Sequence, residues 1–264
     1  GDTIKKVGAK VAPLGFADIA SLVPGRANSN LPVKALSVIH AKTIMVVAFM
    51  SDKPYKTPQD LANVKIGSPQ GNAVRIVWPA FAAINKIPGK VKWVDMGYGA
   101  VLPSLLKGNT DAALWYATEL PTAIPKARKM GKDIRFFSLG DYGVEVYNNA
   151  VIAREDTISA KPKMIKNVVH ALMDAFAWSM LNADEAVNGF RKHAPGMSPS
   201  IIHDHFATMI EYLWDDGTRH HGLGYMGHKK MDNTVTTMTK LLKLKRRVPT
   251  GNMYTNKFLP QWPA

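Results

Sequence analysis

The 264-residue sequence contains no cysteine. That excludes disulfide frameworks, thiolate metal sites and cysteine nucleophiles, although it does not fix the compartment. No apolar run approaches the roughly 20 residues that a membrane-spanning helix needs. The N-terminus lacks the basic, apolar and small-residue blocks of a secretory signal, so any signal peptide is already absent from the chain. Catalytic signatures are missing too: there is no Gly-x-Ser-x-Gly elbow, no Gly-x-x-x-x-Gly-Lys-Ser/Thr phosphate loop and no His-Glu-x-x-His zinc helix. Acidic residues are few beside basic ones, 20 against 34, for a net charge of +14.

Such a balance invites a nucleic-acid reading, because basic surfaces attract phosphates. The distribution opposes it. The one dense basic run, Lys240-Leu-Leu-Lys-Leu-Lys-Arg-Arg247, reads as the end of an amphipathic helix, where cations also suit the helix dipole. No nucleic-acid motif accompanies it, and no nucleic-acid partner is expected. Hydrophobic residues make up 46% and charged residues 20%, which is ordinary globular usage, and the length accommodates one large or two modest domains.

Strand and helix signals alternate along the chain. The opening Gly1-Asp-Thr-Ile-Lys-Lys-Val7 reads as a helix capped by Asp2 or Thr3, with no strand before it. Gly15–Asp18, Ala35–His40 and Ile44–Met50 read as buried strands, and Thr57-Pro-Gln-Asp-Leu61 as a short helix with Pro at its first position. Strands are then expected at Val64–Gly67, Val91–Val94, Ala112–Trp115, Ile134–Ser138 and Tyr147–Ala153. Between them lie helices at Ala73–Asn85, Val101–Lys107 and Pro121–Met130, and beyond Pro162 the chain is mostly helical. The alternation predicts an α/β protein with mixed, mostly parallel sheets flanked by helices.

In open α/β sheets, ligands sit outside the carboxyl ends of strands, beside helix N-termini whose amides favour anions. Four segments fit: Thr3 opening the first helix, Phe16 and Asp18 ending a strand, Ser68-Pro-Gln70-Gly71-Asn72 joining strand to helix, and Gly97-Tyr98 doing so again. Trp115 and Tyr116 end the next strand, where aromatic faces suit a planar ligand. Each has a structural alternative: Gly71 and Gly97 as turn formers, Ser68 and Asp18 as caps, Trp115 as core packing. On the ligand reading, Trp115→Ala weakens binding without unfolding the protein. His203, His205, His220, His221 and His228 raise the question of metal, but His203 and His205 are two apart on an expected helix and so on different faces, while His220 and His221 fall in a glycine-rich loop. No metal is expected.

The stretch Thr57-Pro-Gln-Asp-Leu-Ala-Asn-Val-Lys-Ile-Gly-Ser-Pro69 resembles the segment that opens the second lobe in periplasmic solute-binding proteins of ABC importers. The branch is the one that takes aliphatic sulfonates, nitrate and thiamine-pyrimidine precursors. Leu105-Leu-Lys-Gly-Asn-Thr-Asp-Ala-Ala-Leu114 is similar to that family's helix-to-strand turn. Asn149 to Ile158, Lys161 to Lys166 and Ala171 to Val187 are similar to its return into the first lobe. The resemblance implies the two-lobed type II periplasmic-binding fold with a hinge, lobe one comprising residues 1–63 plus 139–264 and lobe two residues 64–138. It also implies a strand, loop and helix ahead of Gly1 that the chain does not include. The implied function is that of an extracytoplasmic, monomeric component of an importer, periplasmic or lipid-anchored. It captures a small anionic or heteroaromatic ligand (a sulfonate, carboxylate, nitrate or pyrimidine) by hinge closure and delivers it to a membrane permease. No cofactor and no catalytic residue is implied. A thiamine-pyrimidine-biosynthesis enzyme of the same architecture relies on a cysteine-rich iron site, which this chain lacks; a ligand-sensing domain of that fold stays open.

Overall fold

The computed structural model describes residues 2–262. In chain order the first elements are α1 (Asp2–Gly8), β1 (Leu14–Asp18), α2 (Ile19–Ser29), β2 (Val33–Val38) and β3 (Met45–Met50). There follow β4 (Lys65–Ser68), α3 (Ala73–Ile84), β5 (Lys92–Asp95), α4 (Val101–Leu106), β6 (Ala112–Tyr116), α5 (Leu120–Arg128), β7 (Ile134–Ser138) and β8 (Asn149–Arg154). Helices α6 (Glu155–Ala160), α7 (Pro162–Leu181), α8 (Ala183–Arg191), α9 (Pro199–Leu213), α10 (Asp216–His221) and α11 (His228–Leu241) complete the order. The chain divides into two compact units: Thr43–Glu145 is the second, and the described residues on either side of it form the first.

Unit two is built on a five-stranded sheet of order β5-β4-β6-β3-β7. Strand β4 pairs in parallel with β5 and β6, while β3 runs antiparallel to β6 and β7. Four strands thus share a direction and put their carboxyl ends on one edge. Every residue of β3 is buried, as expected of a strand with both faces covered, whose sequence is a continuous apolar run. Phe49, Ile66, Phe81, Leu105 and Leu114 are among the largest fully buried side chains. The short helix expected after Thr57 is a 3-10 turn, Pro58–Leu61, closed by Asp60 accepting from the amides of Lys56 and Thr57, both at 2.8 Å.

The second unit is larger than residues 64–138. Strand β3, expected in the first lobe, pairs with β6 and β7, so the unit runs from Thr43 to Glu145. The apolar run Ile44–Met50 announces a buried strand but carries nothing that names its partners, which lie more than 60 residues downstream.

Unit one has a three-stranded sheet, β1-β8-β2, with β8 antiparallel to both neighbours. Strands β1 and β2 therefore run the same way. Helix α7 buries Ile165, Val169 and Met173, a stripe at helical spacing, in a cluster with Leu36, Val151 and Ala153 of the sheet, Ile39 just after β2 and Leu213 of α9. Helix α2 is an element that the alternation did not announce, since Pro24 stands inside it and a proline in a helical pattern normally marks its end. The basic run after α11 is committed within the unit. Arg246 donates to the carbonyls of Arg26 (3.1 Å) and Ala27 (3.3 Å) at the end of α2, and Arg247 meets Asp232 at 2.5 Å. It acts as a C-terminal cap for α2 more than as a free cationic face.

After α10 the chain turns at Gly222, φ +90°, where an added Cβ would stand 1.7 Å from Cδ1 of Trp262. Gly222→Ala must both strain the backbone and displace the indole. A loss of about 1–3 kcal/mol is expected, read as a lower thermal midpoint with a changed tryptophan emission; an unaltered emission spectrum would show that the indole is not displaced.

Candidate functional site

In unit two, the loops at the carboxyl ends of β4, β5 and β6 hold most of the residues singled out from sequence. Ser68, the last residue of β4, is fully buried and donates to the Pro69 carbonyl at 3.3 Å. Asn72 caps α3, its Oδ1 accepting from the Val74 amide at 2.8 Å. Gly71 has φ +74°, so turn geometry requires it. Gly97 has φ −67° and open space where a side chain would be; its backbone does not demand glycine. Gln70 is exposed and its Nε2 donates to Asp95 Oδ2 at 2.8 Å. Arg75 binds the other oxygen of Asp95 and lies over the Trp93 ring, 4.5 Å from its centroid.

Of the two aromatics expected as ligand contacts, Trp115 takes the buried position and Tyr98 the exposed one. Trp115 is 5% exposed, and its Nε1 donates to the Tyr98 hydroxyl at 3.0 Å, whereas the Tyr98 residue is 43% exposed. Burial of the hydroxyl and the nearby Glu119 carboxylate hold the Tyr98 phenol well above its usual range, so it stays protonated. The open aromatic face belongs to Tyr98, and Trp115 positions it. Tyr116 closes β6 opposite Met45 and is part-buried. Asp95, Arg75 and Glu119 were missed by sequence reading; the only signal for the first was an acid at a strand end.

In unit one the β1–β8 register sets Phe16 opposite Val151 and Asp18 opposite Asn149. Alternation then puts Phe16 and Asp18 on one face and Gly15 on the other. Thr3 packs on that other face, its Cγ2 only 2.6 Å from where a Gly15 Cβ would be, so it is not brought together with Phe16 and Asp18. The Phe16 residue is 52% exposed. Asp18 precedes α2 without a side-chain capping bond, and its Oδ1 is buried with no hydrogen-bond partner.

Burial pushes the Asp18 carboxyl up to about 6, from an ordinary 3.8. Between those values the folded chain keeps a proton that the unfolded chain has released, so stability falls as pH rises through the window. His40 acts oppositely. Its ring is buried with Nδ1 unpartnered and its pKa is lowered to about 4 by that burial, so its contribution to stability is lost as pH falls from 6.5 toward 4. Asp18→Asn removes the first effect. Its melting temperature is expected to exceed that of the wild type at pH 7.5, by the equivalent of up to about 3 kcal/mol, with the gap closing toward pH 4. A gap independent of pH would show that the carboxylate is not the destabilising charge.

The histidines serve separate contacts. His203 meets Asp184 at 3.0 Å, His220 Nδ1 meets the Asp216 carbonyl at 2.6 Å, and the His221 ring lies 4.1 Å from that of Tyr225. Among the described residues no group of three or more His, Cys, Asp or Glu is placed to hold a metal ion. No described helix is long and apolar enough to cross a membrane.

Residues 1–186 match the family model described as NMT1/THI5 like. The chain is 24% identical over 194 residues to the formylaminopyrimidine-binding protein of Halalkalibacterium halodurans, covering 71% of this chain and 56% of that one. It is 22% identical over 239 residues to the riboflavin-binding protein RibY of Chloroflexus aurantiacus, covering 88% and 66%. The chain thus spans between about half and two-thirds of the length of these relatives. Its fold is that of the alkanesulfonate-binding protein SsuA from Xanthomonas axonopodis pv. citri, with a TM-score of 0.73 at 11% identity over 96% of this chain and 83% of that one.

Proposed function

The chain belongs to the NMT1/THI5-like family, and from that membership we propose that it is the extracytoplasmic solute-binding component of an ABC-type importer. It would act as a monomer, outside the cytoplasmic membrane, and hand a small ligand to a permease. The observation that carries this reading is the carboxyl edge of unit two, where the Tyr98 ring is exposed and its hydroxyl fixed by Trp115 and Glu119. A fixed aromatic ring at that edge is a recognition surface for a planar molecule. Unit two contains neither histidine nor cysteine, so Ser–His and Cys–His pairings have no support there, in keeping with a binding role. The relatives whose names specify formylaminopyrimidine and riboflavin favour a heteroaromatic ligand over sulfonate or nitrate.

A thermal-shift screen against pyrimidines, flavins, sulfonates, carboxylates and nitrate tests it, because a ligand that binds only the folded state raises the midpoint by mass action. A concentration-dependent rise with one chemical class is expected. No rise with any of them, or turnover of a bound compound, would overturn the reading of the chain as a binding protein.

A further inference from the structure

At one edge of the unit-two sheet the chain gathers its cations. Strands β4, β5, β6 and β7 begin there and β3 ends there: Phe49 pairs with Ala112, Met50 with Ile134, Ile66 with Ala112, and Lys65 with Lys92. The segments along that edge, residues 51–65, 85–92, 107–111 and 128–133, carry ten Lys or Arg against four Asp. The loops that follow β4, β5, β6 and β7 at the opposite edge, residues 69–72, 96–100, 117–119 and 139–145, carry no Lys or Arg but do carry Glu119, Asp141 and Glu145. Unit two is thus polarised along its strands.

The cationic edge is built, not frayed. Lys132 Nζ donates to the Leu106 carbonyl at 2.7 Å and Gln59 Nε2 to the Asn85 carbonyl at 2.8 Å, while Asp111 accepts from Lys53 Nζ at 3.1 Å and from the Lys65 amide at 2.9 Å. Two further acids are engaged locally: Asp60 accepts from the amides of Lys56 and Thr57, and Asp133 from the Ile134 amide and Arg128. Lys65, Lys86, Lys90, Lys92, Lys107 and Lys129 are exposed, and among the described residues none of them forms an ion pair. Lys65 and Lys92 stand directly opposite each other on adjacent strands, which costs stability because like charges repel. Neither ammonium has a carboxylate partner, and an anionic surface brought from outside would relieve the repulsion.

We propose that this edge rests on a lipid bilayer that bears anionic phospholipid headgroups. Two features favour a membrane over a discrete anion or a nucleic acid. Nine of the ten cations are lysine, a flexible, strongly hydrated point charge that suits a diffuse field of phosphates, whereas a defined phosphate contact favours the arginine fork. Met130, 52% exposed, stands between Lys129 and Lys132 in the turn before β7, and an apolar side chain flanked by cations is what the headgroup boundary accommodates. The surface lies at the sheet edge opposite the loop of Tyr98, so the proposal is independent of the solute-binding reading, and its failure would leave that reading untouched.

Vesicle flotation tests it, with phosphatidylcholine vesicles containing about one-third phosphatidylglycerol and with phosphatidylcholine alone. The wild type is expected to float with the anionic vesicles at low salt, to be released at roughly 0.5 M salt, and to ignore the neutral ones. The triple variant Lys65→Gln, Lys92→Gln, Lys129→Gln should bind about 100-fold more weakly, at about fivefold for each lysine removed. Its melting temperature should be unchanged or raised, since the repulsion between Lys65 and Lys92 is gone. A matched variant, Lys163→Gln, Lys166→Gln, Lys192→Gln, removes three exposed lysines of unit one and lowers the net charge equally; it should bind within about threefold of the wild type. Equal losses in the two variants would trace binding to the net charge of +14 and overturn the proposal. It is overturned as well by the absence of flotation, by binding to neutral vesicles, or by binding that salt does not weaken. Tighter binding to a DNA duplex than to anionic vesicles at the same salt would assign the edge to another polyanion, and that too overturns it.

Discussion

Tyr98→Ala is expected to weaken binding of a planar ligand by about 10- to 100-fold, equivalent to roughly 1.5–3 kcal/mol of lost stacking and apolar burial, while the protein stays folded. The ring is half in solvent, so its removal leaves no core cavity. Trp115→Ala, the variant that the sequence alone suggests, is the wrong test. Trp115 is 5% exposed, and truncating a buried tryptophan costs about 3–5 kcal/mol in stability, so weakened binding would be inseparable from partial unfolding. Trp115→Phe keeps much of the volume and removes only the donor to the Tyr98 hydroxyl. A loss of about 3- to 10-fold is expected there, in keeping with one hydrogen bond, with the melting temperature lowered by a few degrees. Calorimetry on the two variants separates the roles: equal losses would mean that Trp115 itself meets the ligand, and no loss for Tyr98→Ala would remove the ring from the site.

How far the sequence reaches can be seen at such positions. The order of strands and helices was legible because each is short, bounded by Gly, Pro or Asn, and patterned at its own period. Thr57 and Pro58 at the start of a short helical turn follow from local chemistry, and the structure contains that turn; Asn72, expected as a ligand contact, caps α3 instead. What depends on distant pairing was not legible. Strand β3 went to the wrong unit because a fully buried strand carries no alternation to show which neighbours cover it. Trp115 and Tyr98 were both visible as aromatics at strand ends, yet which of them is buried depends on a 3.0 Å contact across 17 residues. A net charge is a sum over the chain; in unit two Lys65 and Lys92 open β4 and β5, at the strand ends opposite the loop that holds Tyr98, a segregation that the sequence does contain once strand directions are known.

The ends of unit one, where the chain passes to and from unit two, are tied to one lysine of α11. Ala41 lies just before the first crossing and Tyr147 just after the second. Lys230 of α11 serves both: its Nζ donates to the Ala41 carbonyl at 2.6 Å and to Asp215 Oδ2 at 2.9 Å, and it sits 4.9 Å from the centre of the Tyr147 ring. Asp215 uses its other oxygen to cap α10, accepting from the Thr218 amide at 2.9 Å. Tyr147, 1% exposed, accepts from the Gly227 amide at 2.8 Å through its hydroxyl. Lys230→Met keeps the apolar stem but strands a carbonyl and a carboxylate whose side chain is 12% exposed. Breaking a fully buried pair costs about 3–5 kcal/mol; with the lysine head a quarter in solvent, about 2–3 kcal/mol is expected, or a fall in melting temperature of roughly 4–12 °C for a protein of this size. Adding Asp215→Asn to Lys230→Met relieves the stranded charge but keeps an oxygen to cap α10. The double variant should therefore lose less than the sum of the single losses. Strict additivity would mean that the lysine acts through the Ala41 carbonyl and the Tyr147 ring alone, and that its link to Asp215 contributes nothing.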